Sequence, residues 1–269
     1  MRWRHDVVRI YRYGDRCKLV YFKTGGGSPD PDRSGGGFAA DSEDGDKERF
    51  DNNICRARAR VRELALCNPW DCFVTLTLDG EKHDREDLAA FRQKLAQWVR
   101  NQRRLTGADI RYLFIPERHK AGGWHIHGLM AGLQESHLRA FQLSEHLPMA
   151  ILKQLKAGNQ IYEIPGLTRA FGWTTASKIR DADRTASYIT KYISKDIKAT
   201  ASIMESGGHL FFASRGLAGK RLLYDGPLYE AAEIPWAFEN DYCKLVWLTG
   251  DDLNALHLDP IFKREGGQD

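Results

Sequence analysis

The chain has 269 residues, enough for one full domain with extensions or for two small domains. Its 40 lysines and arginines against 36 aspartates and glutamates leave a net charge of only +4, which excludes a general polyelectrolyte, so any nucleic-acid surface has to come from local clustering. Five cysteines, odd in number and without a C-x-x-C pair, fit reduced intracellular thiols better than a disulfide framework, and no apolar run approaches membrane-spanning length, so a soluble cytoplasmic protein with no membrane partner is expected.

Residues 6–23 read as two short strands around Gly14-Asp15, a hairpin. The pattern then stops. Residues 25–37 hold six glycines and two prolines, and 41–48 are mostly charged, so 24–50 is expected to be a flexible linker or exposed loop. From residue 51, Ile54, Ala57, Val61 and Leu64 recur at helical spacing, with Arg56, Arg58, Arg60 and Arg62 spread around the helix as a solvated face. Pro69 ends that helix, and Cys72–Leu78 follows as a β-branched strand closed by Asp79-Gly80. Residues 84–104 form an amphipathic helix with Leu88, Phe91, Leu95, Trp98 and Val99 on one face.

Next come a strand over Arg111–Glu117, a glycine-containing loop, and Trp124-His125-Ile126-His127-Gly128-Leu129-Met130. Strand side chains alternate, so His125 and His127 share one face while Ile126 points to the other. Two imidazoles side by side make half of a divalent-metal site; a pair of structural histidines is the competing reading. Hairpin pairing with the preceding strand brings Glu117 near both rings. Two histidines and one carboxylate suit Mn²⁺, Mg²⁺ or Zn²⁺ acting on an oxygen.

Residues 134–160 are helical in parts, 170–176 read as a further strand, and a helix is expected over 184–199. With Tyr188 at zero, Tyr192 lies at about 40°, Lys195 at about −20° and Lys191 at about −60°, while Ile189, Ile193 and Ile197 fall between about 100° and 180°. The isoleucines form the core-facing stripe, and two Tyr-Lys pairs occupy the arc beside it. A phenol, with its ordinary pKa of about 10, is a weak nucleophile until its oxyanion is stabilised. Lysines beside the tyrosines and a metal across from them describe tyrosine attack on a phosphodiester, with Tyr188 and Tyr192 as nucleophiles and Lys191 and Lys195 positioning phosphate or phenolate.

Phe73-Val74-Thr75-Leu76-Thr77, Trp124–Leu129 and Tyr188-x-x-Lys191-Tyr192-x-x-Lys195, in this order, resemble the three motifs of the HUH endonucleases, and among them the rolling-circle replication initiators of phages and plasmids. Phe212–Leu217 is similar to the segment that often follows the tyrosine helix in phage-type members. The resemblance implies a metal site of His125 and His127 completed by Glu117, with Mn²⁺ or Mg²⁺ as cofactor. It also implies sequence-specific nicking of single-stranded or supercoiled origin DNA, leaving a 5′-phosphotyrosine and a free 3′-OH. No G-x-x-x-x-G-K-[ST] loop occurs in the sequence, so unwinding and synthesis are expected to need a host helicase and polymerase.

The expected fold class is α+β: an antiparallel sheet with helices on one face, of the split βαβ (RRM-like, ferredoxin-like) type, over residues 51–220. Residues 1–50 are expected as an N-terminal hairpin and flexible segment, and 221–269 as a small C-terminal extension. Two other readings stay open. One is a two-tyrosine transposase or a relaxase, although relaxases usually carry a third histidine and an N-terminal tyrosine, which are missing here. The other is a non-catalytic DNA-binding regulator on the same scaffold.

Overall fold

A computed structural model describes residues 7–23, 43–118, 122–179, 210–227, 234–240 and 243–254. In chain order these form β1 (Val7–Tyr13), β2 (Arg16–Phe22), α1 (Glu43–Cys67), β3 (Cys72–Thr77), α2 (Leu88–Thr106), β4 (Arg111–Arg118) and β5 (Trp124–Ala131). There follow β6 (Arg139–Ala140), α3 (Met149–Lys156), β7 (Ile161–Glu163), α4 (Pro165–Phe171), β8 (Thr174–Lys178) and β9 (Phe212–Ala213). The last are β10 (Arg221–Pro227), β11 (Phe238–Glu239), β12 (Cys243–Leu248) and α5 (Gly250–Asn254). The class is mixed α+β, with two antiparallel sheets.

The chain divides into two compact units, residues 39–217 and residues 1–38 with 218–269. The expected hairpin is present, turning at Gly14 with φ 60. Its partners come from the far end of the sequence. β1 pairs with β10 and β2 with β12, in a five-stranded sheet ordered β10-β1-β2-β12-β11. The N-terminal hairpin and the C-terminal segment, the latter expected as an extension packed on the catalytic domain, form one sheet with its own core of Val8, Ile10, Cys17, Leu19, Val246 and Leu248. A hairpin alone is marginal in water, and three added strands give it a buried face.

The larger unit carries a seven-stranded sheet ordered β6-β7-β8-β3-β5-β4-β9. β5 pairs antiparallel with both β3 and β4, so those two run in the same direction with β5 between them, and α2 makes the crossover. This is the expected split βαβ arrangement. α2 forms because Phe91, Leu95 and Val99 fall on one buried face; Asp87 accepts from the Ala90 backbone N–H at its start, and Gly107 adopts the left-handed conformation at its end. α2 and α4 cover Val74, Leu76, Phe114 and Ile126 on one side of the sheet. α1 covers Leu113, Ile115 and Leu129 on the other through Ile54, Val61 and Leu64. Helices thus lie on both faces, not one, because the strands carry apolar residues on both sides.

Two boundaries differ from expectation. α1 begins at Glu43, inside the stretch read as linker. Residues 170 and 171 end α4 and do not open a strand: Pro165 sits in the first turn and Leu167 and Phe171 bury together at helical spacing. The strand starts at Thr174.

Candidate functional site

His125 and His127 lie on the α1 face of β5, further along the strand than the apolar contacts that α1 makes. β5 has neighbours on both sides. Across one ladder Thr75 pairs with His127 and Thr77 with His125; across the other Ile115 pairs with His127 and Glu117 with His125. The ring centroids of the two histidines are 6.3 Å apart, and the Phe73 ring stacks 6.3 Å from that of His127.

The side chains meet as the alternation requires. Glu117 Oε2 lies 2.8 Å from His127 Nε2, a diagonal contact across the β4–β5 pair. On the β3 side, Thr75 Oγ1 lies 3.0 Å from His127 Nδ1 and Thr77 Oγ1 lies 3.5 Å from His125 Nδ1. Each Nδ1 is thus met by a threonine hydroxyl, which makes Nε2 the ring atom that would meet a metal. In this arrangement His127 donates Nε2–H to the Glu117 carboxylate and its Nδ1 accepts from Thr75. A metal at Nε2 requires the other tautomer, with Nδ1–H donating to Thr75 Oγ1. A hydroxyl serves both states because it donates and accepts.

Burial, and then the charge of His125, push the His127 imidazole down to about 4. The neighbouring Glu117 carboxylate pulls the other way. The direction set first by burial leaves a neutral ring at neutral pH, the state a metal ligand needs.

The carboxylate-bearing strand is held in place from α2's N-terminal side. Glu86 pairs with the Arg118 guanidinium and accepts the Gly123 backbone N–H at 3.0 Å, while its own carbonyl accepts from Trp124 Nε1 at 3.2 Å. Both ends of the β4–β5 connection are thereby tied to one residue. Gly128, next to His127, is a steric necessity: a Cβ there would stand 2.0 Å from the Leu113 carbonyl oxygen of β4. The close β4–β5 ladder that brings Glu117 to His127 has no room for a side chain at that position.

The donor set of two imidazoles and one carboxylate, with hydroxyls behind the rings, fits a divalent cation by its chemistry. Its present geometry is that of a His127–Glu117 hydrogen bond. Among the described residues, no three His, Cys, Asp or Glu side chains are gathered as a ready metal cage. Tyr188, Lys191, Tyr192 and Lys195 lie outside the described residues. Sequence reasoning misses Thr75, Thr77 and Glu86. The two threonines carry a signal, since they repeat with the same period of two as the histidines.

No curated protein and no solved structure matches the chain. A family model does: the stretch from β3 through β8 and on across the two Tyr-Lys pairs, residues 71–197, is similar to the replication-associated protein family of the ORF2 type.

Proposed function

We propose that this protein initiates rolling-circle DNA replication by nicking and rejoining single-stranded origin DNA through tyrosine transesterification. The observation that carries the proposal is that Glu117, His125 and His127 share one sheet face, with Glu117 in contact with His127, inside the segment similar to replication-associated proteins. A tyrosine Oη, from Tyr188 or Tyr192, attacks the phosphorus and forms a P–O bond as the bond to the 3′-oxygen breaks. The phenol proton is lost to solvent and the 3′-oxygen gains one, so a phosphodiester is exchanged for a phosphotyrosine without net hydrolysis. Attack by the free 3′-OH reverses the exchange and rejoins the strand.

Glu117, His125 and His127 would hold Mn²⁺ or Mg²⁺. When bound, such an ion polarises the phosphoryl oxygens. Thr75 and Thr77 orient the two rings, and Lys191 and Lys195 supply positive charge beside the phenolate. Unwinding and synthesis fall to a host helicase and polymerase. Among the described residues no helix is long and apolar enough to cross a membrane.

The test is a denaturing gel with end-labelled single-stranded origin DNA. A covalent adduct is expected with Mn²⁺, and it should vanish with excess EDTA and in His127→Ala. Equal adduct with and without EDTA would refute the metal site, and no adduct on any origin strand would refute the nicking reaction.

A further inference from the structure

A groove of about 1260 Å³ runs beside α2, between that helix and the segment 210–215. Five of its lining side chains are cationic and none is acidic. That balance is not the chain's: overall, acids nearly match bases. On α2, Arg92, Arg100 and Arg103 fall within an arc of about 80° and span about 16 Å along the axis, a row of cations on one side of the helix. Arg215 stands on the opposite wall. Arg92, Arg100 and Arg215 are exposed and, among the described residues, form no ion pair with a carboxylate. Arg103 is partly neutralised, by Asp109 at 3.3 Å. The charges converge: burial raises the Tyr112 hydroxyl, and the charges of Arg92, Arg103 and Arg100 all oppose that rise.

We infer that this groove is a second DNA contact, separate from the Glu117–His125–His127 face, which holds the phosphate backbone of single-stranded DNA. Exposed arginines without a carboxylate partner among the described residues, here Arg92, Arg100 and Arg215, are recognition chemistry for a polyanion. The half-buried Phe211 on the groove wall adds a ring surface of the kind on which bases stack. The choice of a single strand over a duplex rests on the proposed function, in which the origin DNA that is nicked is single-stranded. The groove lies at the β9 edge of the sheet: Tyr112 and the α2 arginines stand on the α2 face, while Ala57, Leu210 and Phe211 of its other wall pack on the α1 face, where the histidines are. Its arginine row therefore contacts a part of the strand away from the scissile phosphate. The choice of DNA as polyanion rests on the proposed function.

The experiment uses the full chain carrying Tyr188→Phe and Tyr192→Phe, so that binding is read without cleavage. Affinity for a fluorescent single-stranded oligonucleotide is measured across salt concentrations, with and without Arg92→Gln, Arg100→Gln and Arg215→Gln together. Loss of three phosphate contacts should weaken binding about tenfold or more at low salt and flatten the log–log salt slope by about 2. Arg→Lys at the same three positions keeps the charge and should keep the slope. An unchanged slope in the Gln variant overturns the inference, whatever the adduct assay says of nicking. A loss seen for blunt duplex but not for single strands overturns the assignment of the strand. If the wild-type chain forms no adduct while the slope still depends on these arginines, the nicking reaction fails and the groove stands.

Discussion

Gly128→Ala tests whether the close β4–β5 ladder is what builds the site. The new Cβ would stand 2.0 Å from the Leu113 carbonyl oxygen, 2.5 Å from Phe114 Cδ1 and 2.8 Å from Phe114 Cα, where ordinary contact begins near 3.4 Å. Two of those atoms are backbone, so no side-chain rotation relieves the clash, and β4 has to move away by well over an ångström. Overpacking of this kind costs about 1–3 kcal/mol, and each ladder hydrogen bond lost with it about 1 kcal/mol, for a sum of about 3 kcal/mol. For a unit of this size that lowers Tm by roughly 6–12 °C. Gly158→Ala is the control. Its φ is +80 with nothing within 4 Å of the added atom, so it carries conformational strain of about 1–2 kcal/mol and no collision. Differential scanning fluorimetry of both variants separates the two costs. The same displacement draws Glu117 away from His127, so Mn²⁺ affinity should fall in Gly128→Ala and hold in Gly158→Ala. A Gly128→Ala protein that melts within about 2 °C of wild type would refute the steric argument.

Thr75→Val keeps the shape and removes the hydroxyl at His127 Nδ1. Mn²⁺ affinity by calorimetry should drop about 10–100-fold, and an unchanged affinity would show that the ring is oriented without Thr75. For the tyrosine pair, each single Phe variant should keep some oligonucleotide cleavage and fail in complete strand transfer, and the double variant should form no adduct. Mass spectrometry that finds DNA on one tyrosine alone under all conditions would remove the case for alternating nucleophiles. Burial, helped by the Asp71 charge and opposed by Lys178, pushes the Cys72 thiol up to about 11, whereas Cys55 is exposed. Around pH 8, iodoacetamide should label Cys55 and spare Cys72. Because the folded-state pKa lies above the ordinary value, the Cys72 contribution to stability is complete below pH 9 and is lost as pH rises to about 11, which urea melts across that window would register. Equal labelling of both thiols in the folded protein would contradict the burial.

Local periodicity was enough to place His125 and His127 on one face and Ile126 on the other, because the side-chain period of a strand does not depend on its neighbours. The same rule puts Thr75 and Thr77 together, and helical spacing identified the buried stripe of α2. The short glycine-containing loop made β4 and β5 partners, and with them Glu117 a neighbour of the histidines. What lay beyond local pattern is whatever depends on a partner distant in the chain. The threonines became ring supports only when β3 settled beside β5, about 50 residues away. Glu86 had no visible task until the residues just before α2 met the end of the hairpin. In 165–178, a helix of seven residues and a strand of five are too short to establish a period, and the burial of Leu167 and Phe171 under the sheet decided between them. The pairing of Val7–Tyr13 with Arg221–Pro227 is the extreme case. Strand pairing is written in backbone hydrogen bonds, which every residue but proline offers alike, so a sequence reveals that a strand exists well before it reveals which strand lies beside it.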